Sequence, residues 1–333
     1  MREPRSIDGD AALVLAQMFE ADAHLRPRGL ERKAFRPFEN GDGGFVEHVF
    51  HAQGFKIAEA FDAIEIGVKN FFGFAVDMHE GEGGTSDVVF VRGAEPGDVL
   101  EIEIVEVTHH GWGYSTIVEG LGLLKDRFRE PFLFHWELLP HETRSLAPAV
   151  VPLRPFCGVM GVAPELDGEF RTRPPGAFGG NMDVREVCAG ARLYLPVFNP
   201  GALFSCGDGH AAQGDGEVCI NGIECPLEVS LRFHLHHGHT LSAPLIESAQ
   251  LPNSTNSESW IVIESDEDPL RGARNATSRM VDLLMRLWRF TDVHAYILCS
   301  IAMHLRLSQV VNEPMITVSA AIAKHILPER RLF

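Results

Sequence analysis

The sequence has no run of roughly 18 apolar residues, the length a membrane-crossing helix needs, so a membrane partner is not expected. It has no CxxC pair, and its six cysteines are scattered through a 333-residue chain long enough to fold without covalent staples. They are expected to be reduced and mostly buried. Basic residues are scarce: 29 Lys and Arg stand against 46 Asp and Glu, a formal charge of -17. A chain so acidic repels phosphate backbones, so no nucleic-acid partner is expected. The absence of a Walker loop and a dinucleotide fingerprint turns the reading away from phosphoryl transfer and cofactor-driven redox chemistry; HExxH and GxSxG are missing as well. No repeat of solenoid length occurs. The first 25 residues hold only a short apolar run hemmed by acids, with no small-residue cleavage site after it. A secretory signal is therefore not expected, and the cytoplasm is the expected location.

What the chain does have is strand text. From residue 63 onward, short segments rich in Val, Ile and Phe alternate with Gly, Pro and acidic turns, as in AIEIGVKNFFGFAV, SDVVFVRG and DVLEIEIVEV. In the last of these, Leu100, Ile102 and Ile104 alternate with Glu101 and Glu103, which predicts a strand with one buried face. Strand text continues to about residue 245. Between Asp266 and Val310 the period changes to that of helices. Ala273, Met280, Leu283, Leu284 and Leu287 mark one helical face, and Tyr296, Leu298, Ile301 and Leu305 a second, with Asp292 as its N-cap. The expected fold is mainly β, a sandwich- or barrel-like body carrying a helical pair near the C-terminus, α+β overall. Residues 11–25 predict one further helix.

Chemistry concentrates in Gly201 to Pro226, GALFSCGDGHAAQGDGEVCINGIECP. Asp208 and His210 are two apart, which on a strand places a carboxylate and an imidazole on one face. Gln213, Asp215 and Glu217 repeat that spacing and suggest a second strand opposite; Glu224 follows. Carboxylates with one His suit zinc, calcium, manganese or magnesium, and residue type does not choose among them. A plain acidic turn between strands is the competing reading. Asn181 and Asp183 in GAFGGNMD share the spacing of two, with an ordinary turn as the alternative. Three weaker candidates are His109 with His110, the histidines at 234, 236, 237 and 239 as a solvated strand end, and Cys206 as a nucleophile beside His210.

With these residues in view, the chain resembles the acetamidase/formamidase family. The shared text comprises RGAEPGDVLEIEI (92–104), GWGYS with GLGLL (111–124), PLRPFCGVMGVAP (152–164), PPGAFGGNMD (174–183), LYLPVFNPGALFSCGDGHAAQGDGEVCINGIECP (193–226) and AYILCSIAMHLRLSQVVNEP (295–314). The resemblance implies hydrolysis of a small linear amide, of the formamide or acetamide type, to carboxylate and ammonia at a divalent-metal site, zinc or calcium, in a homo-oligomer. On the matching motifs it carries over Asn181, Asp183, Asp208, His210, Gln213, Asp215, Glu217 and Glu224 as site residues. Of these, Asp208, His210, Asp183, Asp215 and Gln213 are expected as metal ligands, Glu217 and Glu224 as proton carriers, and Asn181 as a donor to the oxyanion. Residues 1–85 depart from the family's pattern, and 86–333 form the family-like domain. MHEGEGGTSDVVFVRG stands where a His-Pro-Thr-Gly-Pro-like stretch is usual, with Thr85 matching and His79 nearby; His304 stands where Asp is common. The departure motivates a second reading, a relative that binds a metal or small ligand without turnover.

Overall fold

The computed structural model describes residues 64–71, as strand backbone, and 88–333 except 167, 169 and 250–257. The helix expected over residues 11–25, His79, Thr85 and the boundary at residue 85 lie outside the described residues. Among the described residues thirteen strands precede the helices: β1 (Ile64–Phe71), β2 (Val99–His109), β3 (Trp112–Ile117), β4 (Phe132–Glu137), β5 (Glu142–Thr143), β6 (Val151–Pro152), β7 (Phe156–Gly161), β8 (Gly179–Asn181), β9 (Arg192–Pro196), β10 (Ser205–His210), β11 (Leu227–His236), β12 (Leu245–Glu247) and β13 (Ser259–Asp266). Helices α1 (Pro269–Trp288) and α2 (Asp292–Ala302) follow, then β14 (Met303–Gln309) and β15 (Ile316–Ala323). The fold is mostly β, α+β in class, with its helical pair near the C-terminus.

Eight strands form one antiparallel sheet in the order β1-β11-β2-β9-β12-β13-β15-β14. Side chains alternate across a strand, so each sheet face collects every second residue. On one face Leu100, Ile102, Ile104, Leu193, Leu195 and Ile261 enter a core shared with Cys157, Met160 and Cys206 of the smaller sheet β10-β7-β8. On the other, Val99, Tyr194, Trp260, Val262, Ala320 and Ile322 meet Ala276, Met280, Leu283 and Leu284 of α1. Each fully buried aliphatic of this kind contributes about 1.5–3 kcal/mol relative to exposure. The large sheet is thus a partition between a helical layer and the layer that carries the polar motifs.

Local chemistry explains the helix ends. Asp268 is extended and its carboxylate accepts from the amides of Leu270 and Arg271, with Pro269 in the first turn; Arg289 closes α1 in the left-handed region at φ 60°. Arg279 ties α1 to the sheet, donating to the Ile263 and Ala243 carbonyls and to Glu264 at 2.6–2.8 Å. For α2 the structure shifts the expectation in three ways. Thr291, not Asp292, is the cap, its hydroxyl accepting from the His294 amide. The helix ends at Ala302, and Leu305 lies on β14 opposite Ala320, where pairing with β15 overrides the local helical pattern. Ala295 and Cys299 are its buried face while Tyr296 and Ile301 are exposed, since small side chains let α2 lie close to its support.

Candidate active site

The smaller sheet gathers two of the sequence motifs at one point. β7 is its centre, with β10 on one side and β8 on the other; Gly209 and His210 pair with Cys157 and Phe156, and Asn181 pairs with Val159. Between Gly207↔Val159 and Gly209↔Cys157 the register places Asp208 across from Gly158, and the Asp183 amide donates to the Gly158 carbonyl at 3.1 Å. Gly158 therefore lies under both carboxylates. A Cβ there would stand 2.5 Å from Asp208 Oδ2 and closer still to Asp183 Oδ1, so only glycine leaves the acids their places.

His210 is buried and oriented from behind. Gln213 Nε2 donates to the carbonyls of Asp183 and Ser308 at 2.9 and 3.2 Å, which turns its Oε1 toward His210 Nδ1 at 2.8 Å. Nδ1 accordingly carries a proton, and Nε2 faces Glu224 Oε1 at 2.9 Å, Asp208 Oδ1 at 3.5 Å and Glu217 Oε1 at 3.8 Å. Holding one ring nitrogen by a hydrogen bond fixes the tautomer and aims the other.

The segment after β10 folds differently from the expected second strand. Residues 211–226 are turns and coil: the Gly216 amide donates to the Ser308 carbonyl, the Val310 amide donates back to the Gly216 carbonyl, and Gly216 bridges to Gln309 at the end of β14. These attachments reach some ninety positions along the chain, so alternation within the segment does not decide which side chains turn inward. Glu217, at φ 46°, is buried in the site; Asp215 turns outward and pairs with Arg185 at 3.1 Å. The β3–β4 hairpin fastens the rest of the segment. Tyr114 and Glu224 exchange backbone hydrogen bonds at 2.8 Å, and Asn221 bonds Thr116 through both ends of its amide.

Backbone strain is concentrated at this place. Among the described residues seven non-glycine residues have positive φ, and four of them, Asp183, Asp208, Glu217 and Ile220, line one pocket. Each such residue costs of order 1–3 kcal/mol and persists only where surroundings enforce it, a pattern that points to function. The pocket, a cavity of about 70 Å³ partly open to solvent, is also lined by Tyr114, Thr116, Val118, Leu121, Arg173, Asn181, His210, Asn221, Glu224 and Asn312.

Burial and crowding set the charge states. Burial, then the Asp208 charge, pushes the Asp183 carboxyl up to about 7; burial, with Asp208 contributing, pushes Glu224 up to about 7. Glu217 is raised well above the usual carboxylate range by burial and by Asp183. For His210, burial works against the imidazolium, but Glu224 and Asp208 outweigh it and hold its pKa well above the ordinary value.

Three buried oxygens here accept no hydrogen bond from an amide, hydroxyl or basic group among the described residues: Asn181 Oδ1, Asp183 Oδ1 and Glu217 Oε2, the two carboxyls being partners only when Glu217 carries a proton. Buried acceptors are rarely left so, and a bound cation is one group that satisfies them. Two overlapping sets, Asp183 with Asp208 and His210, and His210 with Glu217 and Glu224, each hold their ligand atoms within 4.8 Å of one another. This donor set fits a divalent cation. Gln213 lies behind the imidazole with its amide already engaged, and Asp215 lies outside the pocket.

Sequence reading passed over Gly158 and Asn312. Asn312 Nδ2 donates to Asp183 Oδ2 at 2.5 Å and to the Asn181 carbonyl at 3.1 Å, and its own amide is held by Gln309 Oε1 at 2.9 Å. The only signal was position inside matching text. The weaker candidates fall elsewhere. Cys206 is buried in the core beneath the pocket, His109 Nδ1 accepts from the Gly111 amide, and His236 and His237 pair with Glu101 and Asp98 at 2.6 and 2.9 Å. His304 lies exposed on β14.

A mostly antiparallel sheet body that presents a buried carboxylate and imidazole cluster in a small pocket has the makings of a hydrolase. The sequence profile of the Acetamidase/Formamidase family matches residues 83–168 and 165–329. The chain belongs to the acetamidase/formamidase family. It is 26% identical over 292 residues to an acetamidase of Mycolicibacterium smegmatis, covering 64% of this chain and 71% of that one. A formamidase of Methylophilus methylotrophus is 26% identical over 195 residues, 41% of this chain and 47% of the relative. Among solved structures, an acetamidase from Bacillus halodurans superposes with TM-score 0.67 at 30% identity, covering 80% of this chain and 90% of that one. A predicted acetamidase/formamidase from Thermoanaerobacter tengcongensis gives 0.68 at 28%, covering 80% and 88%. No helix among the described residues is long and apolar enough to cross a membrane.

Proposed function

We propose that the protein hydrolyses a small linear amide to a carboxylate and ammonia, the reaction named for its relatives. The observation that carries this reading is the convergence of four carboxylates and one oriented imidazole on a single pocket, where Asn181 Oδ1 is a buried oxygen without a partner among the described residues. Asp183, Asp208 and His210 would hold a divalent cation, and the imidazole in the set suits zinc better than calcium. A cation there would polarise a carbonyl oxygen and make water a stronger acid. Glu224, with a pKa near 7, takes the proton of the attacking water. Glu217, which burial keeps protonated, gives its proton to the amide nitrogen as the C–N bond breaks, so that ammonia leaves rather than an amide anion. The Asn181 side-chain amide donates to the oxygen on which negative charge develops. Val118, Leu121 and Ile220 furnish an apolar wall for the acyl group. Ammonia release from formamide, acetamide and propionamide, assayed with added zinc and again in excess chelator, tests the proposal. Release in the first condition and loss in the second is expected; no release from any amide refutes it, and leaves the protein as a binder without turnover.

A further inference from the structure

The acid cluster explains one end of the pocket and leaves Arg173 unexplained. This residue lies in the stretch leading to β8, ahead of Pro174 and Pro175, and the turn beyond it is closed by reciprocal hydrogen bonds between the backbones of Gly176 and Gly179 at 2.9 and 3.0 Å. Arg173 is partly buried and lines the pocket that holds Asp183, Asp208, Glu217 and Glu224. Apart from His210 it is the one basic side chain lining the pocket among the described residues. Yet among the described residues it has no hydrogen-bond or ion-pair partner, whereas Arg185, Arg192, Arg279 and Arg306 all have carboxylate partners. A guanidinium serving only to offset the acids would gain by closing onto one of them. This one lines the same pocket as the four acids without an ion pair to any of them.

On the footing that the site hydrolyses amides, we infer that Arg173 binds a carboxylate on the substrate, so that the preferred substrates are half-amides of small dicarboxylic acids. A neutral amide offers the guanidinium nothing that water does not. A carboxylate offers two oxygens to its planar fork, a charge-assisted pairing in a recess of low polarity. The same carboxylate would be repelled by the acid cluster if it entered the other way round. Arg173 and the acids together therefore orient the molecule, amide toward Glu224 and carboxylate toward Arg173. The apolar wall of Val118, Leu121 and Ile220 then faces the methylenes between them. The chemistry at the amide is unchanged: water adds its oxygen to the carbonyl carbon, the C–N bond breaks, and the products are a dicarboxylate and ammonia.

The test compares succinamate with butyramide, of matched length, on the wild-type protein and on Arg173→Gln and Arg173→Lys, with thermal melts to confirm that each variant is folded. The wild type is expected to favour succinamate in kcat/KM. Arg173→Gln is expected to lower that value by about 10- to 100-fold, the worth of a lost hydrogen-bonded charge partner, and to leave butyramide unchanged. Arg173→Lys, keeping the charge without the fork, should fall between. Equal losses on both amides, or no loss on succinamate, overturn the inference while amide hydrolysis stands. Calorimetric binding of succinamate is measured alongside: Arg173-dependent binding is expected even in a protein that releases no ammonia, and binding indifferent to Arg173→Gln overturns the inference whatever the turnover.

Discussion

Burying several carboxylates around one imidazole makes the metal-free protein sensitive to pH in a direction opposite to ordinary acid denaturation. In the folded state Asp183 and Glu224 titrate near 7, against 3.8 and 4.5 for the free side chains. Below about pH 3 both are protonated whether the chain is folded or not, and their contribution to stability is fully present. Between that point and 7 the folded protein holds protons that the unfolded chain has released, so stability falls as pH rises. Each group costs up to about 1.4 kcal/mol per pH unit, and about 3–4 kcal/mol across the whole window. That is a large part of the roughly 5–15 kcal/mol that keeps a domain folded. Asp98 and Asp266, whose pKa values are lowered, act below the free aspartate value and leave this window alone. Urea melts in chelator at pH 5, 6 and 7 should therefore show the midpoint falling with pH, and Asp183→Asn should flatten the fall. Zinc added at pH 7 should restore the midpoint, because a cation repays the desolvation of the ionised pair. A midpoint that holds level or climbs from pH 5 to 7 in chelator would refute the reasoning.

Other perturbations have definite outcomes. Gly158→Ala should abolish ammonia release and cut zinc affinity with little change in far-ultraviolet circular dichroism, because the atoms nearest its Cβ are side-chain atoms of Asp183 and Asp208. Gln213→Ala should leave the fold intact and weaken zinc binding about 10- to 100-fold in a competitive chelator titration, since it removes the partner of His210 Nδ1. Leu284→Ala, on the helix face of the large sheet, should cost about 2–5 kcal/mol in urea melts and leave KM unchanged.

Much of the architecture was legible because periodicity is local. Leu100, Ile102 and Ile104 against Glu101 and Glu103 gave the strand and its buried face, and Met280, Leu283 and Leu284 gave the buried stripe of α1. Asp208 and His210, two apart on β10, line one pocket, with Asp208 in the left-handed region at φ 59° rather than in plain strand alternation. The same rule misled at Gln213, Asp215 and Glu217, where no strand forms and hydrogen bonds to Ser308 and Val310 set the course of the chain. Asn312 and Gly158 were illegible for a related reason. One is brought to Asp183 from 129 positions away, and the other matters for the side chain it lacks. Arg173, in plain polar text ahead of two prolines, carries no local mark of facing a cavity.

The account turns on Glu224 as the group that takes a proton from water while its neighbours hold the amide. Ammonia release from acetamide by the wild type and by Glu224→Gln, at pH 7 with saturating zinc, addresses this most directly. The account predicts turnover in the wild type and a fall in kcat of about 10²- to 10⁴-fold in the variant, with zinc still bound. Equal rates in the two proteins would contradict it.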